Sequence, residues 1–203
     1  MITFLLAAIY FLVLFMAIEY VSRRATFPVE LSRKLAHILA GMSAAFLPWI
    51  MPYSSIALLA GIFFVVMIFS RRLRIFTSIH DVTRSSYGEL FFPIVIGSMA
   101  LFFPQNNLYV YGVLVMALAD GFAGLAGSFY GREIYNLGRA RKSYLGSGVF
   151  FLVCSGIGWM VAPQPGVIVI AILLTFVEAV GAKGTDNLIL PPIAAILMAT
   201  LLG

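Results

Sequence analysis

The sequence predicts an all-α, polytopic integral membrane protein of about eight transmembrane helices, seven being the alternative count, with both termini on the non-cytoplasmic side. Three observations carry this. Hydrophobic residues make up 62% of the 203-residue chain and charged residues 10%, too little polar surface to cover a soluble globule. The apolar residues gather into segments at 2–20, 35–50, 55–70, 90–104, 108–130, 146–162, 166–180 and 188–202. The 13 Lys and Arg residues fall in or beside alternate connections between those segments.

The segment at 2–20 reads as the first span and not as a signal peptide, because it has no basic n-region and no A-x-A cleavage site. Together with 108–130 it reaches the ~20 residues that cross a bilayer comfortably. The remaining segments, of 15 to 17 residues, cross if flanking polar side chains snorkel or the bilayer thins, and one of them could instead be re-entrant. The first connection carries Arg23, Arg24, Arg33 and Lys34, the third Arg71, Arg72, Arg74 and Arg84, the fifth Arg132, Arg139, Arg141 and Lys142, and the seventh Lys183, while the second, fourth and sixth carry none. Under the positive-inside rule the charged side is cytoplasmic. Trp49, Trp159, Tyr53, Tyr109 and Tyr111 lie near the uncharged connections, as an interfacial aromatic belt would. Cys154, the single cysteine, sits in an apolar run and reads as a small buried residue. With no internal repeat or low-complexity tract, residues 1–203 read as one domain.

The chemistry centres on the stretch from 117 to 147. Asp120, Gly124, Gly127 and Gly131 recur at intervals of four, three and four, so they line one helix face as a carboxylate beside a nearly bare strip of backbone. Asp120 lies ten residues before Tyr130, which places it ~15 Å along the helix from the charged end. A carboxylate at that depth is costly unless it is paired, protonated or faces a watery cavity, so a functional reading is the default; a protonated Asp bridging two helices is the alternative. After the helix, a basic loop delivers Lys142 and Ser143 to a return through Gly146 and Ser147. A carboxylate, a glycine strip and a basic loop suit a metal-bound polyphosphate.

Other polar residues extend this set. Glu30, Arg33, Lys34 and His37 are spaced by three and four, on one side of a helix entering the second span. They could hold a triphosphate, with Glu30 orienting one cation, or form a solvated, snorkelling helix start with one Glu-to-Lys pair; His37 alone is more simply structural. Glu178 is a second carboxylate within an apolar segment. Asp186 and Asn187 precede Pro191 and Pro192 in what reads as a loop entering a short last helix, where they would act as N-caps or meet a ligand. His80 and Asp81 have no identifiable partner. No P-loop is present, since Lys142 and Ser143 follow Arg141 and not glycine, and no G-x-G-x-x-G occurs.

Glu30 with Arg33, Lys34 and His37, then Asp120-Gly121-Phe122-Ala123 running to Gly131, then Lys142-Ser143-x-x-Gly146-Ser147, then Asp186-Asn187 before Pro191, together resemble the dolichol kinase and phytol kinase family of polyprenol kinases. The resemblance spans most of the chain and implies CTP-dependent, Mg²⁺-assisted phosphorylation of a membrane-embedded alcohol, in a many-helix fold related to phosphatidate cytidylyltransferases. The partners implied are a lipid alcohol, a nucleoside triphosphate and the bilayer, with no nucleic acid. Leu145 stands where many relatives have Glu, so ATP or another nucleoside triphosphate is kept beside CTP as donor.

The mechanism expected from residues and resemblance together is γ-phosphoryl transfer, which rests on positioning and on neutralising phosphate charge. Asp120 and Asp186 are expected to hold Mg²⁺, with Glu178 as a third carboxylate, and Asp120 is alternatively the base for the hydroxyl proton. Lys142, Arg33 and Lys34 would clamp phosphate oxygens, and Gly124 and Gly127 would let a ligand approach backbone. His37, Ser143, Gly146, Ser147 and Asn187 complete the expected nucleotide site. A phosphatidate cytidylyltransferase-like enzyme and a small cation or proton transporter are the rival readings.

Overall fold

The computed structural model of the protein describes residues 1–73, 88–138, 140–181 and 184–203. His80, Asp81, Arg74, Arg84, Arg139 and Lys183 lie outside these residues. Among the described residues the chain forms the helices α1 (Ile2–Arg24), α2 (Val29–Phe46), α3 (Tyr53–Arg72), α4 (Gly88–Phe102), α5 (Asn106–Tyr130), α6 (Tyr144–Val161), α7 (Gly166–Val180) and α8 (Thr185–Leu201). Each overlaps one of the apolar segments read from the sequence. Four of them, α1, α3, α5 and α6, are long and apolar enough to cross a membrane, where the sequence singled out only the first and fifth segments. The difference arises at the ends: α3, for example, continues from Tyr53 through Arg71 and Arg72, beyond the apolar run itself.

Local chemistry sets the boundaries. Pro28 and Pro52 sit just before α2 and α3, with extended ψ values of 138° and 152°, a conformation proline accepts and a helix interior does not. Arg23 and Arg24 end α1, and Arg71 and Arg72 end α3, where cations complement the carbonyl end of the helix dipole. The expectation of Asp186 or Asn187 as N-cap is corrected. Gly184, at φ +85°, occupies that position, and α8 then runs unbroken through Pro191 and Pro192. The Pro191 carbonyl faces Gly112 of α5, where a β-carbon would lie only 2.7 Å from it. Two helices approach closely there because one side chain is missing.

An antiparallel hairpin interrupts the all-helical pattern. Strands β1 (Ile134–Leu137) and β2 (Ala140–Ser143) pair in the register Ile134 with Ser143, Tyr135 with Lys142, Asn136 with Arg141 and Leu137 with Ala140. Gly138, at φ +59°, supplies the left-handed backbone that a two-residue hairpin connection needs. The segment read from sequence as a basic loop is therefore a framed structure.

At the centre of the bundle lies α5, with 72% of its most apolar stretch buried, against 22% for α1 and 28% for α3 and α6. It packs against α2, α6 and α8. Tyr109 and Tyr111 are fully buried, which corrects their place in the aromatic belt: the Tyr109 hydroxyl donates to the Ala44 carbonyl at 3.2 Å, and the Tyr111 hydroxyl meets Cys154 Sγ at 3.5 Å. Trp49 and Trp159 are exposed. Cys154 is the small buried residue expected.

Candidate active site

Midway along α5 the helix widens into a π turn over Val115–Asp120. Such turns recur at functional sites because the widened turn frees backbone groups for other partners. Here the partners come from α2. His37 Nε2 lies 2.8 Å from the Met116 carbonyl, so the ring nitrogen donates, and Lys34 Nζ donates to the Asp120 carbonyl at 3.1 Å. The same ammonium donates to Asp120 Oδ2 at 2.7 Å, with both side chains buried, and His37 Nε2 stands 3.8 Å from that oxygen.

The predicted cluster on α2 is thus divided. Lys34 and His37 turn into the bundle, while Arg33 folds back on Glu30, with Nη2 to Oε1 at 2.7 Å and Nε to Oε2 at 3.3 Å. The local Glu-to-Lys pair that sequence alone offered as one of two readings does not form: Glu30 pairs with Arg33, because Lys34 crosses to Asp120. The glycine strip receives protein and not open space: Gly124 lies against the aliphatic end of Lys34, and a β-carbon at Gly127 would lie 2.8 Å from Ser143 Oγ. These glycines let Lys34 and the start of α6 come close to α5.

A second charged group lies on the hairpin side of the bundle. Lys142, from β2, donates to Glu178 Oε1 of α7 and to Asp186 Oδ2 of α8, the latter at 3.3 Å. Ser147 of α6 donates to Glu178 Oε2 at 3.4 Å, and its oxygen lies 2.6 Å from the Tyr135 hydroxyl. Because the Ser147 proton is given to a carboxylate, which only accepts, Tyr135 is the donor in that contact. Tyr135 and Lys142 are cross-strand partners, so they project from one face of the hairpin toward the same carboxylate.

Burial favours the neutral amine of Lys142, yet the carboxylates of Asp186, Glu178 and Asp120 outweigh it and raise its pKa above the ordinary lysine value. That Asp120 is among them links the two groups electrostatically. Together they set three carboxylates against two ammonium groups, an arrangement that would be expensive in an apolar bundle without a function.

Ser143 accepts the Gly146 N–H at 3.0 Å as the N-cap of α6, which accounts for both residues as helix-start chemistry. Asn187 is buried in the first turn of α8, where its N–H donates to Asp186 Oδ1 at 3.1 Å. Among the described residues, no three or more His, Cys, Asp or Glu side chains stand close enough together to hold a metal ion. Asp120 is engaged by Lys34, whereas Glu178 and Asp186 converge on Lys142. Their oxygen chemistry suits Mg²⁺, which is commonly held by one or two carboxylates with substrate phosphates completing its shell. Tyr135 went unread in the sequence; its only signal there, a tyrosine in a polar run, is indistinguishable from an interfacial residue.

No family model matches the sequence, and no solved structure matches it. A curated phytol kinase from Synechocystis sp. is 32% identical over 201 residues, in a match covering 92% of this chain and 85% of that protein. With the four motifs present in order and nearly the whole length aligned, this chain belongs to the family of polyprenol kinases that includes phytol kinase.

Proposed function

We propose that this chain is a lipid alcohol kinase that transfers the γ-phosphoryl group of CTP to the hydroxyl of a membrane-embedded isoprenoid alcohol, either phytol or a polyprenol such as dolichol, or to diacylglycerol. The observation that carries the reading is the convergence of Lys142, Glu178 and Asp186 from three separate elements beside the buried Lys34–Asp120 pair. The likeness to a phytol kinase over nearly the whole chain supports the acceptor class.

In this reading the acidic excess of the site, three carboxylates against two ammonium groups, is what a divalent cation would complete. Glu178 and Asp186 are the pair suited to Mg²⁺, which when bound neutralises and orients the triphosphate. Lys142 then turns from the carboxylates to the phosphate oxygens. Asp120, fixed by Lys34 and by the π turn, orients the acceptor hydroxyl and takes its proton. The hydroxyl oxygen forms the new bond to the γ-phosphorus as the bond to the β-phosphate bridging oxygen breaks, leaving CDP and a lipid monophosphate. The chain crosses the membrane many times, with the site open to cytosolic nucleotide.

The test follows the label from γ-labelled CTP, with ATP in parallel, over a panel of phytol, polyprenols and diacylglycerol. Label should enter the lipid fraction and transfer should stop when Mg²⁺ is chelated. Label recovered as pyrophosphate, with cytidine in the lipid, would assign a cytidylyltransferase instead. Purified protein that binds no nucleotide would favour the transporter reading.

A further inference from the structure

One face of the hairpin holds both oxygens of a single buried carboxylate. Lys142 of β2 donates to Glu178 Oε1, and Ser147 of α6 donates to Glu178 Oε2 at 3.4 Å. The Ser147 oxygen lies 2.6 Å from the hydroxyl of Tyr135, the cross-strand partner of Lys142. The hairpin therefore reaches Oε1 directly and Oε2 through one serine.

The two holds differ in kind. Lys142 is a flexible stem whose ammonium also donates to Asp186, and in the transfer described above it leaves the carboxylates for phosphate oxygens. Tyr135 and Ser147 have no such errand. Ser147 stands just past the Ser143 cap in the first turn of α6, and the Tyr135 ring packs against Tyr144 with centroids 4.9 Å apart. A serine hydroxyl has one proton to give. Here it goes to Glu178, while the oxygen receives the Tyr135 proton, a sequence in which each bond strengthens the next. Ser147 is thus committed to the carboxylate and not to a nucleotide phosphate.

We propose that Tyr135 is a positioning residue for the divalent cation: through Ser147 it holds Glu178 by Oε2, so that Oε1 faces the ion together with Asp186 once Lys142 withdraws. The proposal rests on the kinase reading and its Mg²⁺ site. A ligating carboxylate needs hydrogen-bonded partners behind it to fix its orientation, and their loss typically weakens metal binding by about 10–100-fold.

The test titrates Mn²⁺, which favours the same oxygen ligands as Mg²⁺, into the purified full chain. Free ion is followed by electron paramagnetic resonance, without nucleotide and with a saturating non-hydrolysable CTP analogue. Glu178→Gln should weaken binding most and so marks the site. Tyr135→Phe, which deletes one oxygen at a half-buried position, and Ser147→Ala should each weaken Mn²⁺ binding about tenfold. The double variant should lose no more than Ser147→Ala alone, because the two residues act in series. Affinity for the analogue with metal chelated should not move.

Unchanged Mn²⁺ affinity in both single variants, additive losses, wild type that takes up no Mn²⁺, or Mn²⁺ bound alike by wild type and Glu178→Gln overturns the proposal. So does a Ser147→Ala variant that loses metal-free affinity for the analogue but keeps its Mn²⁺ affinity, the result expected of a phosphate ligand. Any of these, with wild type still phosphorylating an alcohol, leaves the kinase reading standing. If the variants lose Mn²⁺ as expected while wild type binds no analogue and phosphorylates no alcohol, the positioning role stands and the kinase reading alone fails.

Discussion

At the scale of single residues, the proton-accepting role proposed for Asp120 and its ion pair with Lys34 can be separated by substitution. Asp120→Asn removes the proposed proton acceptor and should lower kcat by about 10²–10⁴-fold. It also leaves the Lys34 ammonium buried without its charge partner, a change that costs about 3–5 kcal/mol. In the Lys34→Met/Asp120→Asn double variant no uncompensated charge remains, so the melting temperature should recover while activity stays lost. Recovery of activity with stability would show that Asp120 acts only in packing. Lys142 offers a pH signature. Its pKa is raised in the folded protein, above an unfolded value near ~10.4, so the stability it contributes is fully present below that value and is lost only as pH rises through the folded pKa. The gap in melting temperature between wild type and Lys142→Met should therefore be constant from about pH 7 to about pH 9; a gap that shrinks across that range would mean the amine is titrating there. The charged residues were legible in the sequence because Asp120 and Glu178 interrupt apolar runs, where an ionisable side chain needs a reason. Their pairing was not legible. Nothing in the spacing of Arg33 and Lys34 says that one folds back on Glu30 and the other crosses to Asp120.

Between elements, the contact of α5 with the start of α6 depends on a missing side chain opposite a cap. A β-carbon at Gly127 would meet Ser143 Oγ at 2.8 Å but Ser143 Cβ at 3.9 Å, an ordinary contact. Gly127→Ala should therefore cost about 1–3 kcal/mol through overpacking, and Ser143→Ala about 1 kcal/mol through loss of the cap. In the double variant the crowded oxygen is gone, so the combined loss should be smaller than the sum, a coupling that thermal unfolding in detergent can read. Strict additivity would mean that the two helices separate to absorb the methyl group. The glycine spacing was legible as a bare helix face, but its use was not: periodicity shows which residues share a face and is silent on what packs there. The hairpin was hidden for a related reason. Its strands are four residues each, too short for alternation to rise above a polar run, and only Gly138 marks the turn. The π turn leaves no trace in residue type at all, because it is a choice of backbone partners made once Lys34 and His37 arrive from α2.

For the molecule as a whole, the distribution of charge makes the sharpest prediction. The helices were legible because each apolar segment is bounded by prolines, cations or glycines that the backbone uses as stops, as Pro28, Pro52, Arg71 and Gly184 do. The side of the membrane on which each connection lies follows instead from electrostatics during insertion, which no packing contact records. The hairpin, with Arg141 and Lys142, and the connection before α5, which has no cation, are separated by the length of α5, and α5 is long and apolar enough to cross a membrane. Asn136 and Gln105 are both exposed at those two ends. In a Cys154→Ser background, a cysteine at position 136 should react with an impermeant thiol reagent only from the cytoplasmic side, and a cysteine at position 105 only from the opposite side. That orientation would bring Lys142, Glu178 and Asp186 to the cytosolic nucleotide pool that the proposed reaction draws on. The reverse labelling pattern would place that cluster on the side without nucleotide, and the kinase reading would fall with the topology.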